Sequence, residues 1–267
     1  MDKTISQPSP QTRWIDIHAH LEMLEDSPEV TIAKAQAVGV ERLITIGTEP
    51  ADHPIVLALA KKHFPVVACT LGIHPHHGAV WTSEVDTYLR KHLPEPEVVA
   101  VGEIGLDYYY NQSPKAEQQE AFRAQLQLAH EFNLPVEIHT RDAEEDTVQI
   151  LKEFAGKVRG VIHCFTGTAW LAKNCLDLGY NISMSGVVTF KNADDLRATC
   201  KMVPLDRLHV ETDAPFLAPV PMRGKKNTPA FVVHTAACVA DLHGISIETL
   251  AERTNENARQ LFPKLKW

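Results

Sequence analysis

Short runs rich in β-branched and other apolar residues alternate along this chain with longer stretches of helical periodicity. The apolar runs predict strands at Trp14–His18, Arg42–Gly47, Val66–Gly72, Val98–Glu103, Val136–His139, Gly160–Phe165, Tyr180–Ser185 and Leu208–Glu211. Between them, the spacing predicts amphipathic helices at Val30–Val38, Pro54–His63, Lys115–Phe132, Thr147–Phe154, Ala169–Leu178 and Ala193–Met202. Phe122, Leu126 and Ala129, for example, recur at the i, i+4, i+7 spacing of one helix face. Two more helical patterns, Thr228–His243 and Ile247–Leu261, are expected to cover the outside and the bottom. Strands alternating with helices favour an α/β fold with a parallel sheet, and eight strands are the number that closes a (β/α)8 TIM barrel. No repeat beyond this unit, low-complexity tract or linker interrupts the pattern. One domain is therefore expected over residues 13–267, behind a polar lead-in (residues 1–12) read as disordered.

Five of the strand-like runs finish on residues able to bind a metal. These are His18 and His20, Glu103, His139, His163, and Asp213. Side chains at i and i+2 of a strand share a face, so His18 and His20 converge while Ala19 points away. Imidazole nitrogen suits zinc and other borderline divalent metals, and the carboxylates extend the choice to magnesium and manganese. In a barrel, reactive groups collect at the C-terminal ends of the strands, where residues after strands one, four, five, six and eight surround one cavity. An open sheet would spread them along an edge. His53, His63, His92, His130 and His243 fall on helical patterns and read as solvated surface.

Composition sets the limits. The chain has 267 residues, 44% hydrophobic and 22% charged, with enough apolar content for a sizeable core. No apolar run reaches the length of a membrane span, and no membrane association is expected. The N-terminus lacks the apolar core of a signal peptide. Five scattered cysteines without Cys-x-x-Cys spacing point to free thiols in a reducing cytoplasm. Cys164, next to His163, is expected to face the opposite way. The formal net charge of −8 argues against a protein that coats or scans duplex DNA. It leaves room for an enzyme that grips one or two phosphates through metal ions and a few local cations.

Several segments together resemble the TatD family of metal-dependent deoxyribonucleases. They are Ile-Asp-Ile-His-Ala-His-Leu from Ile15, Gly-Glu-Ile-Gly-Leu-Asp-Tyr-Tyr from Gly102, Pro-Val-Glu-Ile-His-Thr-Arg-Asp-Ala from Pro135, His-Cys-Phe-Thr-Gly from His163 and Val-Glu-Thr-Asp-Ala-Pro-Phe-Leu from Val210. Gly-Ile-His-Pro-His from Gly72 and Pro-Met-Arg-Gly-Lys-Lys-Asn from Pro221 fit as well, so the likeness runs unbroken from about Trp14 to Phe262. Glu22 stands where the family often has Asp. The resemblance implies a TIM barrel with two divalent ions (zinc, magnesium or manganese), one held by His18, His20, Glu103 and Asp213. The second would lie among Glu103, His139 and His163, with Glu103 as the bridge. A carboxylate has two oxygens and no lysine ends strand four, which agrees with Glu103 in that role.

The expected activity is cleavage of phosphodiester bonds by metal-activated water, with Glu103 and Asp213 as catalytic groups. Asp213 is either the proton acceptor or a ligand alone. Glu211 and Asp16 read as partners behind the ligands or as ordinary buried hydrogen-bonding groups. His74, Asp107, Arg141 and Arg223 are candidate substrate contacts, and Arg223, Lys225 and Lys226 form a basic loop that is otherwise a solvated charged turn. His76 follows strand three and either reaches the cavity or caps its loop. The substrate implied is nucleic acid, most simply single-stranded DNA ends, with no obligate protein partner. Two rivals share the sequence evidence. One is a hydrolase of a small molecule or an aminoacyl ester on the same barrel. The other is a metal-stabilised binding protein, disfavoured because six ligands for two ions leave positions open.

Overall fold

Neighbouring parallel strands need a crossover between them, and the alternating pattern supplies one each time. The computed structural model describes residues 12–266. It forms β1 (Trp14–Ala19), β2 (Val40–Ile46), β3 (Val67–Leu71), β4 (Val98–Asp107), β5 (Val136–Arg141), β6 (Gly160–Ile162), β7 (Asn181–Met184) and β8 (Leu208–Val210). The strands lie in sequential order in one sheet, and each adjacent pair is parallel. The first and last are fastened just past β8. An isolated parallel bridge links Ala19 with Ala214, Asp213 N donates to His18 O (2.9 Å), and His20 N donates to Ala214 O (2.7 Å). The result is the expected (β/α)8 barrel.

The helices are α1 (Pro28–Ala37), α2 (His53–His63), α3 (Ser83–His92), α4 (Lys115–Phe132), α5 (Glu144–Glu153), α6 (Ala169–Asp177), α7 (Asp194–Met202), α8 (Val232–His243) and α9 (Ile247–Leu261). Of these, α3 was given no bounds by the pattern reading, which placed only His92 on a helical pattern there. It buries only Leu89, too little apolar face to register in so charged a segment. Local signals form it instead. Thr82 caps the Val85 amide, Glu84 and Asp86 sit in the first turn, and Arg90, Lys91 and His92 sit in the last, matching the helix dipole. The pattern at Thr228 starts as a 3-10 turn, Pro229–Phe231, before α8 begins.

Two apolar layers result. Leu43, Val67, Cys69, Leu71, Val136 and Ile138 face the surrounding helices within one large cluster. Inside the barrel, Ile15, Ile17, Ile44, Ile46, Ala68, Val99 and Val161 meet Ala258, Leu261, Phe262 and Leu265 from the end of α9 and the segment after it. The lower interior is thereby filled with hydrocarbon, which leaves the upper end for polar groups. No single described helix is long and apolar enough to cross a membrane. The expectation for the lead-in falls on residues outside the described ones, except that Thr12 is buried.

Candidate metal centre

A small irregularity in β1 decides where its histidines point. Asp16 pairs with Leu43 but Ala19 pairs with Thr45, so three positions advance against two. An extra residue reverses the alternation of faces. Ile15 and Ile17 both enter the interior cluster, yet His18 also turns to the cavity, where its ring stacks on His163 (centroids 3.8 Å apart, 9° between planes). Asp16 is a buried hydrogen-bonding group whose Oδ1 accepts from the His18 amide at 3.4 Å. Its carboxylate accepts from the Thr212 amide (2.9 Å) and hydroxyl, bracing the residue before Asp213. Burial, the largest influence, raises the Asp16 pKa to about 8.

The six expected ligands converge. The Oε1 atom of Glu103 lies 2.7 Å from His163 Nε2, 3.1 Å from His139 Nδ1 and 3.4 Å from His74 Nε2. The other oxygen, Oε2, is 3.7 Å from His18 Nε2. Asp213 Oδ1 is 3.8 Å from His18 Nε2 and 3.6 Å from His20 Nε2. Asp213 holds a left-handed backbone, φ 57°, which aspartate tolerates better than most residues. Three donor groups gather within 4.8 Å: His18 with His20 and Asp213, His74 with Glu103 and His139, and His18 with His163 and Glu211. His74, expected as a substrate contact, thus sits among the donors.

Behind the histidines stands a second row of carboxylates. Glu137 Oε2 is 2.7 Å from His18 Nδ1, Glu211 Oε1 is 3.2 Å from His163 Nδ1, and Asp107 Oδ2 is 3.1 Å from His139 Nε2. Asp107 also reaches His76 Nε2 at 3.0 Å, so it orients two rings from within β4. A carboxylate on one imidazole nitrogen fixes the ring and directs the other nitrogen outward. Glu137 was missed by sequence reasoning, although it shares the parity of His139 on β5. Glu211 faces inward and also accepts from the Cys164 amide at 2.6 Å.

The electrostatics of His18 and Glu103 agree with a cation site. Burial and the neighbouring His163 hold the His18 pKa well below its ordinary value, which leaves an imidazole with a free lone pair. Burial pushes the Glu103 carboxyl up, but the His163 and His74 rings and hydrogen bonds outweigh it and hold it well below the carboxylate range. His18 Nε2 and His20 Nδ1 are buried without a hydrogen-bond partner. Each such orphan costs about 1–3 kcal/mol. Separations of 3.6–3.8 Å from His18 and His20 to Asp213 are too long for hydrogen bonds, and suit donors that share one ion. The residues fit a divalent metal.

Around this cluster the other candidates fare differently. Arg141 lies within β5, its guanidinium 3.9 Å from the Tyr109 ring centroid and 4.9 Å from that of Tyr110. Arg223 is exposed, stacks 3.9 Å from the Phe190 centroid and donates to Ala218 O (2.9 Å). Lys226 is paired with Glu25. Cys164 lies past β6 with φ 40°, joins none of the donor groups, and sits 3.0 Å from Ser185 Oγ. His53 is a correction: it is buried, not solvated, with Nε2 2.7 Å from Gly72 O. Gly105 is required where it is. Its φ is +133°, and a Cβ there would lie 2.0 Å from His139 O.

Comparison with known proteins places these features in a group. The family model described as TatD related DNase matches residues 15–263. The chain is 41% identical over 252 residues to the uncharacterized metal-dependent hydrolase YabD of Bacillus subtilis, covering 92% of this chain and 98% of that protein. It is 38% identical over 240 residues to the 3′-5′ ssDNA/RNA exonuclease TatD of Pantoea ananatis, covering 88% and 92%. Among solved structures, the TatD homologue YJJV from Escherichia coli superposes with a TM-score of 0.89 at 30% identity, covering 94% of this chain and 98% of that one.

Proposed function

The chain belongs to the TatD family of metal-dependent hydrolases, and from that premise we propose that it is a deoxyribonuclease that shortens single-stranded DNA from an end. The observation that carries this reading is the position of Glu103. One oxygen faces His139 and His163, and the other faces His18. One ion would be held by His18, His20, Glu103 and Asp213, and a second by Glu103, His139 and His163, with zinc, magnesium and manganese all suited to the mixed donors. When bound, such a pair acidifies a water, polarises the phosphoryl oxygen and stabilises the leaving oxygen.

The chain's own groups take the remaining tasks. Asp213 accepts the proton of the attacking water. Its side chain is 12% exposed, against 4% for Glu103 and 0% for Glu137 and Glu211, so it is the carboxylate of the cluster that best meets solvent. Glu137, Glu211 and Asp107 hold the imidazoles in the orientation that presents one nitrogen to the cavity. Arg141, at the end of β5 two residues beyond His139, binds a non-bridging phosphate oxygen, and Arg223 meets the strand farther out. His74 contacts the phosphate from the Glu103 side. With a net charge of −8, recognition of the polyanion is local to this rim. The relatives named as exonucleases support the substrate. The free thiols of the described cysteines support a cytoplasmic setting.

The test uses metal-stripped protein, a labelled single-stranded oligodeoxynucleotide and each metal added back. Stepwise shortening that needs the metal is expected, and Asp213→Asn should lower kcat by about 10²–10⁴. No cleavage with any metal, although two ions bind per chain, would move the assignment to a small-molecule or aminoacyl-ester hydrolase.

A further inference from the structure

Large aromatic rings left in solvent sit at both ends of the donor cluster. Tyr110 is 55% exposed and its ring centroid is 5.4 Å from that of His76, which in turn is 4.3 Å from His74. Phe216, beyond β8, is 49% exposed and lies 5.8 Å from His20. Rings therefore run from Tyr110 through His76 and His74 to the Glu103 side of the site, and from Phe216 through His20 to the Asp213 side. Tyr109 meets Tyr110 edge-on at 4.9 Å, and the Arg141 guanidinium packs over both, while Asp107 Oδ1 accepts from the Tyr110 amide at 2.8 Å. The Tyr110 ring is thus positioned and not merely left over. Such exposure forfeits burial of apolar area unless a ligand covers the face.

We propose that Tyr110 and Phe216 are stacking platforms for the two nucleobases that flank the scissile phosphate. This rests on the nuclease reading and adds the reason for an unpaired substrate. A base within a duplex has both faces covered by its neighbours, whereas a flexible strand can splay successive bases to either side of the phosphate. Stacking is also insensitive to charge, so it supplies affinity that an acidic protein cannot draw from long-range attraction. Because every base has a π-face, the platforms discriminate paired from unpaired and tolerate any sequence.

The experiment compares a single-stranded oligodeoxynucleotide with one of equal length carrying abasic residues on either side of the cleaved bond. Tyr110→Ala and Phe216→Ala are each expected to raise KM about tenfold on the normal strand, from the usual worth of one stacked base. On the abasic strand they should cause little further loss, and Tyr110→Phe and Phe216→Trp should restore binding. Loss of equal size on both substrates would show a structural role and overturn the proposal. Binding is measured in parallel by fluorescence anisotropy with metal-loaded Asp213→Asn protein. No difference in affinity between normal and abasic strands would also overturn it. Base-dependent binding without cleavage by the wild type would sustain the platforms and overturn only the nuclease reading.

Discussion

His18 illustrates how a candidate ligand depends on the residue behind it. Its Nε2 is free because Glu137, 2.7 Å away, occupies Nδ1. Burial, the nearby Glu211 and the neighbouring Glu103 raise the Glu137 pKa well above that of an exposed glutamate, with His163 opposing. Glu137→Gln should keep the fold and lower metal affinity about 10–100-fold in a competitive chelator titration. An unchanged affinity would mean that β1 alone orients the ring. The convergence of the candidate ligands was legible in the sequence because type and position coincide: a histidine or carboxylate at the end of a strand-like run is informative about a barrel rim. Glu137 was not, since inward parity says only that a side chain enters the barrel. Of the two readings left open for Asp16, the structure shows the buried hydrogen-bonding group, tied to Thr212 beside the register shift in β1. His53 looked like a surface residue on a helix pattern, but the Gly72 carbonyl draws it inward.

At the level of elements, the strong periodicities translated directly. The bounds predicted for α4 and α9 are those observed, because each shows an apolar stripe several turns long. Strand ends were less legible: β4 runs to Asp107 and β5 to Arg141, while β6 stops at Ile162, just before its histidine. Hydrogen bonding to the neighbouring strand sets those limits, and hydropathy does not record it. The last helical patterns were expected to cover the outside and the bottom, and the end of α9 goes further by plugging the interior. Phe262 is fully buried among Ile15, Ile17 and Leu265 inside the barrel. Phe262→Ala should destabilise the protein by about 3–5 kcal/mol in denaturant melts, with the number of ions bound unchanged. Loss of metal before loss of the fold would place the plug's influence at the opposite end from the one assigned.

For the molecule as a whole, the expected barrel appeared because chain order and spatial order are the same in it. Its one special join lies between β8 and β1. There, side chains and loop amides replace an ordinary ladder: Thr212 to Asp16, Asp213 to His18, His20 to Ala214. The donors His18, His20 and Asp213 straddle this join. Chelation should therefore lower the melting temperature, and saturating metal at 100 times Kd should restore about 2.7 kcal/mol. Amide exchange of His20 and Asp213 should quicken in the metal-free protein more than that of Val136 on β5. Uniform exchange across the barrel would uncouple the metal from the join.

The Asp16–Thr212 contact spans 196 positions of sequence. An ion shared across that interval would do for the chain what a disulfide does for a secreted one, tying two remote points and shrinking the freedom of the open form. Unlike a disulfide, this tie is adjustable by the surrounding metal concentration and by pH. Starvation for metal would then silence the enzyme and loosen the ring in the same event.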